Sequence, residues 1–110
     1  MKQTDDIQRI KWIKAATKGD LDAFGELVKQ HESMLLSFAL YRLPVREEAV
    51  EAVQDSFVRA YKQLSDFRLD GDFGTWLRSI CRFMILTRSK NYVRRKKKSE
   101  HVNAQLMALA

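Results

Sequence analysis

Chain breaks are scarce here, and where they fall limits the fold more than anything else in the sequence. Pro44 is the one proline, and the four glycines stand at 19, 25, 71 and 74. Between these points run long segments in which apolar residues recur every three or four positions, the period of an amphipathic helix. An all-α domain follows, a compact bundle of about four helices. At 110 residues the chain makes one domain, which buries roughly 65% of its unfolded surface around one modest core.

The first helix is expected from about Asp5 to Lys18, stopped by Gly19. Asp20 is a good N-cap for the second, about Leu21 to Leu43, with Phe24, Leu27, Val28, Leu35, Phe38 and Ala39 as its apolar stripe. Pro44 breaks the chain. The third helix spans about Arg46 to Leu64. At 100° per residue it gathers Ala49, Val50, Val53, Phe57, Ala60, Tyr61 and Leu64 on one side and Glu48, Glu51 and Asp55 on the other. The fourth spans about Phe73 to Lys98. Phe73, Trp76, Ile80, Phe83, Met84 and Thr87 share one face. Arg78, Arg82, Ser89, Tyr92 and Lys96 share the opposite one, flanked by Arg88 and Arg95. Residues 99–110 are a tail, either a short helix or the start of a linker.

Charge divides the chain. Residues 1–66 carry a net −1 and residues 67–110 a net +7. A neutral front and a basic back imply two different surfaces, the second suited to a polyanion. Ahead of the basic helix lies a short polar loop, Arg68-Leu69-Asp70-Gly71-Asp72, pinned between Phe67 and Phe73. Loop, aromatics and cations together suit an unpaired nucleotide and its phosphates, since stacking returns about 1–3 kcal/mol per base. Generic binding of nucleic acid or anionic membrane by the basic helix is the weaker form of the same reading. The acidic side of the third helix is a solvated face by default, its early acids favoured by the helix dipole. Its sharper reading is a docking surface for a basic partner.

Catalysis finds little support. His31 and His101 stand far apart, and neither lies near Cys81 or in a metal-ligand spacing. His31 is read as structural and Cys81 as packed. No glycine pattern for phosphate or dinucleotide occurs, so no catalytic residue, cofactor or metal is assigned. Cys81 is the one cysteine, charges run through residues 1–20, and no run approaches the ~18 apolar residues of a membrane span. A cytoplasmic location is the expectation.

Three blocks then carry a resemblance. Gly19-Asp20-Leu21-Asp22-Ala23-Phe24, followed by Leu27 and His31, resembles the opening of region 2 in bacterial sigma factors of the extracytoplasmic-function (ECF) group. Glu48 to Tyr61 resembles that family's polymerase-binding helix. Phe67 to Arg82, centred on Phe73-x-Thr75-Trp76-Leu77-x-x-Ile80, resembles its promoter-melting loop and recognition helix. The blocks stand in the family's order and spacing over roughly residues 10–98.

The resemblance implies a transcription initiation domain without activity of its own. Such a domain docks on the clamp helices of the largest catalytic subunit of RNA polymerase and holds the melted non-template strand of the −10 promoter element. Glu48, Glu51, Gln54 and Asp55 correspond to the docking surface. Arg68, Leu69, Asp70, Gly71 and Asp72 correspond to the loop that captures a flipped base. Arg78, Arg82, Phe83, Arg88, Arg95 and Lys96 lie on the helix expected to face DNA. An anti-sigma protein is a further expected partner. Phe83 stands where the family often has Asn, and Thr87 where Asp is common. Val50 replaces a frequent acid. The usual second domain, with a helix-turn-helix, does not follow before Ala110. These departures leave an alternative open: a sigma-like interaction module, a regulator or decoy for polymerase or an anti-sigma protein, without promoter recognition.

Overall fold

The computed structural model describes residues 2–88, and every described element is helical. Helix α1 spans Lys2–Thr17 and α2 spans Leu21–Arg42. Helix α3 spans Arg46–Lys62 and is followed by one 3₁₀ turn, Leu64–Asp66. Helix α4 begins at residue 73 and continues to residue 88. The part of the fourth helix expected beyond residue 88, with Arg95, Lys96 and the tail, lies outside the described residues.

The punctuation acts as its chemistry requires. Gly19 has a φ of 103°, a left-handed conformation that costs other residues a Cβ clash. Its N–H donates to Ala16 O at 2.9 Å, and the Asp20 N–H donates to Ala15 O at 3.1 Å. These paired bonds form a Schellman closure that satisfies the last carbonyls of α1. Asp20 then caps α2, its Oδ1 accepting from the Ala23 N–H at 3.1 Å. Helix α2 ends where Leu43 donates to Ala39 O at 2.8 Å, immediately before Pro44.

One core joins the helices. Ala23, Leu27, His31, Leu35 and Ala39 form its row on α2, four residues apart, so the buried face lies to one side of the predicted stripe. Phe24, Val28 and Phe38 pack at its margin. On α3 the buried residues are Ala49, Ala52, Val53, Ser56, Phe57 and Ala60. Val50 and Tyr61, expected in the stripe, are half-buried. Leu64 is buried as expected but belongs to the 3₁₀ turn rather than to α3.

The largest correction falls on α4. Phe73, Leu77, Ile80, Cys81 and Ile85 are buried, whereas Phe83 is 51% exposed and Thr87 is exposed. The predicted stripe took one edge of the buried face for its centre. Helix α4 touches two neighbours: Phe73 meets His31 of α2, and Arg88 meets Glu51 and Asp55 of α3. A helix held on two sides buries a wider arc than a single stripe, and that arc takes in Leu77 and Cys81.

Candidate functional site

The loop between the 3₁₀ turn and α4 is built on aromatic contacts. Phe67 meets Phe73 edge-to-face at 5.5 Å between centroids and Trp76 at 5.1 Å. Phe73 and Trp76 stand 5.7 Å apart, and His31 approaches Phe73 at 4.9 Å. Pairs of this kind contribute about 0.5–1.5 kcal/mol beyond their burial. Both ends of the loop are therefore anchored in the core, while its polar tip stays in water.

Within the loop, the Gly71 N–H donates to Arg68 O at 2.9 Å and closes a tight turn. A Cβ at Gly71 would lie 3.3 Å from that same oxygen, a tight contact that the turn would have to shift by a few tenths of an ångström to admit. Arg68 and Asp70 pair at 3.1 Å, fully in solvent, where such pairs contribute little. Leu69 is exposed beside them.

Asp72 has a structural duty. Its Oδ2 accepts from the Thr75 N–H at 2.9 Å and from the Thr75 hydroxyl at 2.7 Å. It is the N-cap of α4, and its carbonyl takes the Trp76 N–H at 3.1 Å. The two Thr75 bonds hold its carboxyl below the usual aspartate range, with Arg9 and Arg78 adding to the effect. Arg78 extends the network, donating to Thr75 Oγ1 at 3.1 Å and reaching Met34 Sδ at 3.7 Å. It is half-buried against α2, whereas Arg82 is exposed.

A groove of about 300 Å³ opens between this loop and α1. Phe67, Leu69, Asp70, Asp72 and Phe73 line it from the loop, and Asp6, Arg9, Ile10 and Ile13 line it from α1.

The acidic face lies on the exposed side of α3. Glu51, Gln54 and Asp55 are exposed and Glu48 is half-buried. Arg88 of α4 bridges two of them, at 2.9 Å to Glu51 and 2.6 Å to Asp55. Burial works to lower the Arg88 pKa, but the hydrogen bonds it donates to Asp55 and Glu51, with the charges of those carboxylates, outweigh it and hold the guanidinium above its usual value. Residues that the sequence assigned to opposite tasks, polymerase docking and DNA contact, are thus in direct contact. A turn further back on α4, Phe83 lies under the Arg59 guanidinium at 4.8 Å from its ring centroid, a cation–π arrangement.

Sequence reasoning did not find Arg9, Arg59 or Met34. Each acts across elements, and no local spacing announces it. Thr75 was within reach: an Asp three residues before a Thr at a helix start is a capping pattern. His31 is buried, and its Nδ1–H donates to Leu27 O at 2.8 Å, because a carbonyl oxygen can only accept. Burial holds its pKa below the usual histidine value. Cys81 is buried too, and burial pushes its thiol up, with Ser56 opposing. Among the described residues no cluster of His, Cys, Asp and Glu could hold a metal ion, and no helix is long and apolar enough to cross a membrane.

The family profile for sigma-70 region 2 matches residues 27–99. The chain belongs to the sigma-70 region 2 family. This region 2 chain is 30% identical over 96 residues to the ECF RNA polymerase sigma factor SigW of Bacillus subtilis, an alignment covering 87% of this chain and 49% of the relative. It is 33% identical over 81 residues to the ECF RNA polymerase sigma-E factor of Salmonella typhimurium, covering 74% and 40% respectively. The chain therefore spans about half the length of these curated relatives or less. In three dimensions it is similar to an engineered region 2 of sigmaE solved by NMR in complex with GTAAAA. That likeness has a TM-score of 0.74 at 26% identity, and covers 79% of this chain and 90% of the other. The Phe67–Phe73 loop, the Arg88 bridge and the whole of the acidic helix α3 of this region 2 domain fall inside the matched stretch, while Arg9 falls outside it.

Proposed function

We propose that this region 2 domain is a transcription initiation module with no catalytic activity of its own. The exposed carboxylates of α3 dock on the clamp helices of the largest catalytic subunit of RNA polymerase. Glu48, Glu51, Gln54 and Asp55 carry that contact. The Arg68–Asp72 loop and Arg78, Arg82, Phe83 and Arg88 of α4, together with Arg95 and Lys96, hold the melted non-template strand of the −10 element. Residues 1–98 form the functional unit and 99–110 its tail. An anti-sigma protein is a further partner.

The observation that supports this reading most directly is the likeness to a region 2 solved with GTAAAA. Physical chemistry supports it as well. The acidic face of α3 and the exposed Arg82 of α4 lie on helices joined by the Arg88 bridge, so one small domain can touch polymerase and nucleic acid at once. The loop offers what an unpaired strand needs, an apolar wall with polar groups at its rim and cations alongside.

Two measurements test the proposal. A clamp-helix fragment captures the wild-type chain, and the pair Glu51→Lys with Asp55→Lys abolishes capture. Capture that survives the double reversal refutes the docking surface. In the presence of core polymerase, the chain binds fork-junction DNA with an unpaired −10 strand selectively by sequence. Docking without selective DNA binding would favour the alternative, a regulator or decoy that keeps the fold without promoter recognition.

A further inference from the structure

We propose that Lys14 and Lys18, at the end of α1, and Lys62 of α3 form a phosphate-holding site for the single strand where it leaves the Arg68–Asp72 loop. The inference rests on the reading of that loop as a holder of the unpaired strand, and adds a path for the backbone outside it.

The groove between the loop and α1 continues past the loop. It shares Ile13, Phe67 and Leu69 with a second hollow of about 260 Å³, which Lys14 and Lys18 also line. That hollow in turn shares Thr17, Leu64 and Ser65 with a third, of about 280 Å³, which reaches Lys62. Together they make one open trough, from the loop past the 3₁₀ turn to the end of α3.

The charge of the trough changes along its length. Asp70 and Asp72 line it at the loop. In the second and third hollows no carboxylate is present, and the charged side chains are the three lysines. All three are exposed, and among the described residues none forms an ion pair. Helix ends account for part of this pattern. Lys14 lies in the last turn of α1 and Lys62 in that of α3, where a cation offsets the carbonyl dipole. A dipole end counts for about half a charge, so three ammoniums exceed what two ends balance. The three belong to the stretch 1–66, whose net charge is −1, so a sum along the chain hides them and folding gathers them.

The chemistry of the trough defines its ligand. An ammonium is a compact charge on a flexible stem, which suits a phosphate and demands no fixed geometry. Phosphate contacts of this kind position a strand and read no sequence. Leu64, Phe67 and Leu69 add apolar surface along which sugars and bases can lie. The site therefore fits phosphodiester backbone, and its continuity with the loop makes the strand held there the ligand within reach.

The test uses the 110-residue chain, single-stranded GTAAAA, and the same hexamer extended by about six thymines on its 5′ or its 3′ side. Affinity is read by fluorescence anisotropy across a salt series. One of the two extended strands binds about tenfold tighter than GTAAAA at low salt, and its log affinity falls more steeply with log salt, by about 0.7 for each lysine engaged. The triple substitution Lys14→Gln, Lys18→Gln and Lys62→Gln removes the gain and the added slope and keeps the affinity for GTAAAA. A length gain that survives the triple substitution overturns the inference and leaves the strand-binding reading standing. So does the absence of any length gain. An equal loss for hexamer and extended strands overturns it too, as the mark of a general fall in charge. If neither the hexamer nor any extended strand binds, both readings fail.

Discussion

His31 and Asp72 show how single side chains serve this fold before any partner arrives. His31 is neutral because burial depresses its pKa below the usual value. The unfolded chain binds this proton near pH 6.5 and the folded chain only at lower pH. Its contribution to stability is therefore full above about pH 6.5 and is lost as pH falls toward the folded value, with a slope of at most about 1.4 kcal/mol per pH unit. Urea unfolding at pH 7.5 and pH 5.5 should show this loss, and His31→Gln should flatten it. Asp72 titrates in the same sense but lower on the pH scale: its stabilisation is present above the ordinary aspartate range and disappears as pH falls below it. The His31 window opens near pH 6.5 and the Asp72 window near pH 3.8, so the His31 contribution is the first to be lost on acidification. Asp72→Ala removes the cap of α4 and should cost about 1 kcal/mol in thermal or urea denaturation, with Asp72→Asn recovering most of it.

Helices α3 and α4 are coupled through Arg88. Among the described residues its two ion pairs are the only ones that join different helices. With the Arg88 side chain 27% exposed and its partners more so, solvent screening limits the bridge to about 1 kcal/mol or less. Arg88→Gln should lower the melting temperature by a few degrees at most, and added salt should shrink the difference. Its effect on docking should be larger and opposite in sign. Arg88 occupies two of the carboxylates that a cationic partner would use, so its removal frees them. Isothermal titration with a clamp-helix fragment should show tighter binding by Arg88→Gln than by the wild type; weaker binding would mean that the bridge presents the acidic face rather than blocking it. Helix positions were readable in advance because Gly19, Asp20 and Pro44 are local signals. The rotation of α4 was not readable, because the arc it buries depends on its having two neighbours. Phe83 and Leu77 are both large and apolar, and periodicity alone does not say which one faces inward.

The distribution of charge over the chain makes a prediction of its own. If the basic half neutralises single-strand phosphates, log affinity falls with log salt, and each contact contributes about 0.7 to the slope. Arg82 is exposed and is free to make such a contact, so Arg82→Ala should flatten the slope by about 0.7 with little change in stability. Arg78→Ala should instead disturb the fold, since that guanidinium is tied to Thr75 and Met34. Much of the site was legible as composition and order: a pinned polar loop, an acidic helix side and a basic helix, in one characteristic sequence. These properties are carried by neighbouring residues, and short-range periodicity, capping and charge report them directly. Which cations stay free and which are bound was settled by packing. Arg78, Arg82 and Arg88 read alike along the chain, yet one is clamped to α2, one faces solvent and one bridges to α3. Arg9 meets the loop across some sixty residues of sequence. Contacts at that separation exist only once the core has brought the helices together, because the burial that pays their ordering entropy is shared by the entire domain.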